Sequence, residues 1–248
     1  MNEAVARERS FWNSRGGAYE TVRNLIGRSI GPFSSYGELE ELYDPVGKAV
    51  LDYGCGRGED AIRLVRRGAA HVAGFDISEA EIERARDAAE GAGFGDRIEF
   101  RVADAHDTGF PDGAFELLRG ASILHHLELE PALREIKRIL RPGGKAVFVE
   151  PLGHNPILRI GRALTPMART VDEHPLTVGD WATCARIFPR FRHFERELVT
   201  VPLMPLNLVL PDSGRQALAA RVKPLDERVL QRAPKLRRYA RVTFLVLQ

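Results

Sequence analysis

Only two cysteines, Cys55 and Cys184, occur in 248 residues. That is too few for a disulfide framework, and it fits a reducing compartment, the cytoplasm. No apolar run is long enough to span a bilayer, which speaks against a membrane partner. The first residues, Met1 to Ser10, are charged and lack the apolar stretch of a signal peptide. A large net charge is missing as well. With 36 basic and 34 acidic residues the formal charge is +2, so no global field selects nucleic acid or an acidic partner. Lysine stands only at 48, 137, 145, 223 and 235 while arginine is abundant, a bias of codon usage rather than of chemistry. No internal repeat and no low-complexity segment interrupts the chain.

What is present is ordinary for an enzyme: 44% hydrophobic and 28% charged residues, enough for one α/β domain with a sizeable core. The informative stretch is Ala49-Val50-Leu51-Asp52-Tyr53-Gly54-Cys55-Gly56-Arg57-Gly58-Glu59-Asp60. An apolar run suited to a buried strand enters three glycines at alternate positions, and a helical segment, Asp60 to Arg67, follows. Strand, glycine turn and helix form the ligand-binding corner of a doubly wound sheet. A dinucleotide fingerprint needs its third glycine at 59, but Glu59 stands there and Gly58 comes one residue early. A turn that merely connects two elements fits the stretch too.

Further along, His71 to Asp76 reads as a second strand ending in an acid. Asp76 lies 22 positions after Gly54, near the offset of a carboxylate that accepts ribose hydroxyls. Ser78 with Glu81 predicts a capping box on a helix that Gly91 ends. Arg97 to Ala103 alternates as a third strand and leads to Asp104-Ala105-His106. A turn, Phe110-Pro111-Asp112-Gly113, opens a fourth strand over 115–119. Pro131 to Leu140 predicts a helix stopped by Arg141-Pro142-Gly143-Gly144, and Lys145 to Glu150 a fifth strand. Asp180 to Phe188 predicts a helix, Phe191 to Val201 a sixth strand, and Tyr239 to Leu247 the last.

Together these motifs resemble the class I S-adenosylmethionine (SAM)-dependent methyltransferases, in their ubiquinone/menaquinone-type, small-molecule branch. The likeness is close over about 50–151 and loose outside. It rests on Leu51-Asp52-Tyr53-Gly54-Cys55-Gly56-Arg57-Gly58, on Asp-Ala…Phe-Pro-Asp-Gly-x-Phe-Glu from Asp104, and on Leu140-Arg141-Pro142-Gly143-Gly144. It implies a Rossmann-like seven-stranded sheet whose last strand is antiparallel between the fifth and sixth. A single domain then spans 1–248, with a helical cap over 1–44, a SAM-binding core over 45–151 and a lid-like insertion over 152–176. The C-terminal part, 177–248, holds a helical insertion over 202–238.

The resemblance also implies a cofactor, SAM, held by Asp52, Gly54, Cys55, Gly56, Gly58, Asp76, Ile77, Asp104 and Ala105. Tyr19, in the segment Phe11 to Tyr19, would close over it. Asp104 would meet the adenine amino group, with the Ala105 N–H beside it. No Asn/Asp-Pro-Pro-aromatic tetrad follows the fourth strand, and Arg119-Gly120 stand where magnesium-dependent relatives carry an acid. A metal-independent enzyme acting on a small molecule, a biosynthetic intermediate, is therefore expected.

Ligands of such sheets sit beyond the carboxyl ends of the strands, which places His125 and Glu150 at the reaction centre. His125 or its neighbour His126 is a candidate base. Glu150 is a candidate for binding substrate, acting as base or anchoring the loop. Adjacent histidines on a helix diverge by about 100°, so the pair is not expected to chelate one ion. Arg215 to Arg241 is locally basic and leaves open an RNA-binding methyltransferase or interaction protein. A SAM-binding protein that transfers no methyl also stays open. Substrate, acceptor atom and oligomeric state are not legible.

Overall fold

Ala49–Tyr53 forms the central strand, β1, with every residue after Ala49 buried, as a strand covered on both faces requires. The computed structural model describes residues 3–14, 17–166 and 169–248; Arg15 and Gly16 of the expected cap segment, and Met167 and Ala168 of the expected insertion, lie outside them. On one side β1 pairs in parallel with β2 (His71–Asp76), and β2 with β3 (Ile98–Val102). On the other it pairs with β4 (Phe115–Ala121), which pairs with β5 (Leu140–Pro151). Then β7 (Val242–Leu247) runs antiparallel between β5 and β6 (Arg192–Arg196), giving the order β3-β2-β1-β4-β5-β7-β6. The chain reverses direction across the sheet between β1 and β4, so a crevice opens at their carboxyl ends.

Alternation along the strands divides the interior into two cores. Leu51, Tyr53, Phe148 and Leu245 face one way with Leu133 and Ile136; Val50, Val147 and Phe244 face the other with Ile62, Val65 and Ile82. The helices α3 (Glu59–Arg66), α4 (Glu79–Gly91), α5 (Leu129–Ile139) and α7 (Trp181–Ile187) supply the outer layers. Before β1 come α1 (Glu3–Asn13) and α2 (Gly17–Ile30); after β5 comes α6 (Pro156–Leu164), and before β7 the long α8 (Asp212–Arg232). Among the described residues no helix is long and apolar enough to cross a membrane.

Several expected boundaries move for local reasons. β5 starts at Leu140, not Lys145, because the Arg141–Gly144 turn is carried as an irregularity between the pairs Phe115–Leu140 and Leu117–Lys145. β6 stops at Arg196 because Asp226 of α8 accepts the N–H groups of Glu197, Leu198 and Val199 at 2.8, 2.6 and 2.5 Å, turning the chain off the sheet. The capping box at α4 is only half made. Ser78 Oγ accepts the Glu81 N–H, but the Ser78 N–H goes to Asp76, and the Glu81 carboxylate is drawn to Arg57 and Arg84. β7 begins at Val242, the preceding Pro234–Tyr239 being a 3₁₀ turn.

The N-terminal region is tied to the C-terminal insertion by side chains. Asn207 donates to the Ser29 carbonyl at 2.8 Å, Lys223 to the Ser34 carbonyl at 2.9 Å, and Ser35 N–H to Glu197 at 2.7 Å. Part of the basic C-terminal run is spent in this way: Arg241 is buried against Glu197, and Arg237 donates to the Leu230 carbonyl.

Candidate active site

β1 delivers the chain into the glycine turn at the crevice. Gly54 has φ +74°, and a Cβ there would lie 2.8 Å from Ile123. Gly56 has φ +48°, and a Cβ there would meet nothing within 4 Å, so its backbone faces open space. Gly58 serves packing instead. A Cβ there would collide with Phe100 and Ala85, so its absence lets the start of α3 lie against α4 and β3. At the end of β2 the Asp76 carboxylate accepts the Gly56 N–H at 3.1 Å and the Ser78 N–H at 2.9 Å, pinning turn to strand.

A cavity of about 760 Å³ opens there, in the size range of ligand sites. Gly54, Cys55 and Gly56 line it from β1, Asp76 and Ile77 from β2, Asp104 and Ala105 from the loop after β3, and Tyr19 from α2. One Asp104 oxygen accepts from the backbone and the Nδ1–H of His106, at 2.9 and 2.8 Å. His106 Nε2 accepts the Glu128 N–H, which fixes the proton on Nδ1. The Ala105 N–H has no acceptor among the described residues, while its carbonyl takes the Tyr53 hydroxyl. A donor, a carboxylate and a cradle without side chains are what a nucleoside with an amino-acid arm needs, so the residues fit SAM.

Two expected cofactor contacts are not on the cavity wall. Gly58 packs helices, and Asp52 is fully buried beneath the turn, bound to Arg119 at 2.9 Å. Burial pushes the Asp52 carboxyl up to about 6 against the opposing pull of Arg119. Burial also works against the Arg119 charge, but Asp52 and Asp60 outweigh it and hold the guanidinium ionised. Asp52 thus supports the turn through Arg119, which does line the cavity.

The other end of the cavity is built around the loop after β4. Ser122 sits there at φ +57°, left-handed for a non-glycine residue, with its hydroxyl 2.6 Å from that of Tyr36. Glu150 is wholly buried and does not reach the cavity. It accepts the Ile123 and Leu124 N–H groups at 2.9 Å each and the His125 ring at Nδ1, 2.7 Å. Of its three candidate roles, the geometry matches the anchor. His125 does face the cavity, and burial, helped by His126, lowers its pKa, so the ring is neutral with Nε2 as acceptor.

His126 is not divergent. The two rings lie 4.1 Å apart, tilted by 40°. Although their backbone is a 3₁₀ turn, Leu124–His126, each ring is aimed by its own carboxylate, so the divergence of their backbone positions does not keep the rings apart. His126 bonds Glu8 of α1 at 3.0 Å; burial pulls its pKa down, but Glu8 more than compensates and raises it. Glu8 is a hub that sequence reasoning missed, since it also accepts from Trp12 at 2.7 Å and from Thr170. Arg7 pairs with Asp172 through two bonds of 2.8 and 2.9 Å, and the His174 N–H donates to the His125 carbonyl at 2.7 Å. Cap and insertion therefore meet over the histidines.

Residues 50–144 match the family model described as a methyltransferase domain. The 27-O-demethylrifamycin SV methyltransferase of Amycolatopsis mediterranei (strain S699) is 41% identical over 100 residues, 40% of this chain and 37% of that protein. Methyltransferase GfsG of Streptomyces halstedii is 36% identical over 49% of this chain and 46% of its own. The chain thus spans less than half the length of these curated relatives. Among solved structures, geranyl diphosphate C-methyltransferase from Streptomyces coelicolor A3(2), in complex with Mg2+, geranyl diphosphate and S-adenosyl-L-homocysteine, superposes with TM-score 0.65. It is 16% identical and covers 100% of this chain and 97% of its own, a likeness of fold. Over residues 50–144 the motifs, the sheet order and the family match agree on a methyltransferase domain.

Proposed function

We propose that the chain transfers a methyl group from SAM to a small-molecule acceptor, a natural-product or other biosynthetic intermediate, with no metal in the step. The observation that carries this reading is the cavity end where Gly56, Asp76 and Ala105 present backbone and carboxylate together. The name of the rifamycin relative supports the acceptor class, and the two buried, free cysteines support a cytoplasmic setting.

In this reading the turn at Gly54–Gly56 takes the amino-acid arm, Asp76 the ribose hydroxyls, and Asp104 with Ala105 the adenine edge. Tyr19 closes the site from the cap. SAM, when bound, would supply a methyl already activated by its sulfonium, whose sulfur leaves as the neutral thioether when the acceptor atom attacks the methyl carbon in line. The protein's work is then alignment, which is worth about 7–11 kcal/mol in the best intramolecular models. His125 Nε2 receives the acceptor's proton as the new bond to methyl forms, and Glu150 holds the ring by its Nδ1–H. Cap and insertion, which line the cavity through Glu8, Trp12, Arg169 and Glu173, shut out water.

The first test is calorimetry with SAM. Asp76→Ala removes two bonds to a charged group, each worth about 1.5–3 kcal/mol, so affinity should fall at least about tenfold. Unchanged affinity would sink the assignment of this end of the cavity.

A further inference from the structure

Around the acceptor end, one donor atom each from His125, His126 and Glu173 lies within 4.8 Å of the other two. Both rings are held at Nδ1 by carboxylates, His125 by Glu150 at 2.7 Å and His126 by Glu8 at 3.0 Å. Behind a neutral ring a carboxylate fixes the tautomer and leaves Nε2 as a lone pair, the arrangement found behind metal-ligating histidines; at His126, where Glu8 favours the charged ring, the ion takes the place of the Nε2 proton. Neither Nε2 has a hydrogen-bond partner among the described residues. All three side chains line the cavity, so a fourth coordination position would open into it.

Two imidazoles and one carboxylate suit a borderline first-row ion such as Zn²⁺, at bond lengths near 2.0–2.2 Å, and not Mg²⁺, which demands an oxygen shell. One competitor stands by: Arg169 donates to Glu173 at 3.1 Å. The remaining question is what an ion there would do. It would occupy the Nε2 lone pair that the proposed transfer assigns to the acceptor's proton.

We infer that His125, His126 and Glu173 form a site for Zn²⁺ or a like divalent ion, and that the bound ion blocks methyl transfer rather than assisting it. The blocking half rests on the reading of His125 as the proton acceptor; the binding half does not. The ion sits across the cap, since Glu8 of α1 and Glu173 of the insertion both act on it, so it also fastens the cavity shut.

The test uses the untagged, metal-stripped full chain. Co²⁺ should give visible d–d bands at one ion per chain, and Zn²⁺ should quench them, with uptake measured against a chromophoric chelator. His126→Gln and Glu173→Gln should each weaken Zn²⁺ uptake at least about tenfold. Arg169→Gln should tighten it, a gain that a misfolded variant cannot produce. Excess Mg²⁺ should displace nothing. With an acceptor in hand, turnover should survive exhaustive chelation and fall when one equivalent of Zn²⁺ is added. Absence of stoichiometric uptake, or uptake indifferent to His126→Gln and Glu173→Gln, overturns the site. Uptake with undiminished turnover, or activity lost to chelation and restored by metal, overturns the blocking role. Because binding is read from the Co²⁺ spectrum, failure of the methyl-transfer reading would show separately, as SAM affinity unmoved in Asp76→Ala.

Discussion

At one end of the cavity, the turn at Gly54–Gly56, Asp76 and Ala105 offer backbone and one carboxylate, all from the carboxyl ends of neighbouring parallel strands. At the other end, Tyr36, Ser122, His125, His126, Glu8 and Glu173 offer side chains from segments far apart in sequence. Arg7 and Asp172, which fasten the cover there, are 165 positions apart. The first end is fixed by the sheet and by φ values that glycine permits. The second exists only once cap, insertion and C-terminal region have docked, so its chemistry can vary while the sheet stays constant.

The largest separation between the two ends comes from His125→Ala. Loss of a positioned base costs about 10²–10⁴ in rate, while SAM affinity, set at the other end, should stay as in wild type. Single-turnover rates beside calorimetry read both quantities on the same protein. A variant with near-normal turnover would leave alignment alone as the mechanism and return His125 to the role of a packed ring.

How far the sequence reveals each end follows from the same division. The glycine turn after β1 and the acid at the end of β2 need only local pattern, and the sheet places them there; the antiparallel strand between the fifth and sixth is implied by the family resemblance, and the sheet bears that out. Pattern also puts Glu150 at a strand end, but the choice between substrate, base and anchor depends on where the 122–125 loop folds back. Glu8 is illegible: on α1 it reads as a charged helix residue, and only docking makes it accept from Trp12, His126 and Thr170. Asp226 is hidden for the same reason, since its partners are the N–H groups of Glu197–Val199 across the fold. The histidine pair defeats the periodicity argument because each ring is turned by its own carboxylate, Glu150 or Glu8, which backbone periodicity does not show.

Glu8→Ala is a milder cut, confined to the acceptor end. Three donors lose their acceptor at a largely buried carboxylate, which should raise the acceptor KM about thirtyfold, or about 2 kcal/mol, with a much smaller change in SAM affinity. Glu8→Gln keeps one oxygen and should recover part of the loss. Equal losses for acceptor and SAM would mean that α1 serves both ends, and the division between them would fail at the cap.

The smallest effect sharpens the other side, through Asp52. It sits beneath the glycine turn yet does not line the cavity, so its replacement should change stability and its pH dependence while SAM affinity holds within about twofold. The sign follows from its raised pKa. Folded, the carboxyl keeps its proton up to about 6; unfolded, it loses it near the ordinary value of about 3.9. Between these values folding takes up a proton, so this group's contribution is fully present below about pH 4 and is lost as pH rises through 6. Asp52→Asn cannot titrate and should lack that decline, while Arg119 keeps Asp60 as its partner. Between about pH 4.5 and 7.5 the variant should therefore gain on wild type by on the order of 1 kcal/mol, less than a two-unit shift alone implies, because buried sites respond as if more polarisable than their burial suggests. Urea midpoints for both proteins across that range measure it. Parallel curves would mean that Arg119 keeps Asp52 ionised throughout, with its charge outweighing burial beneath the turn.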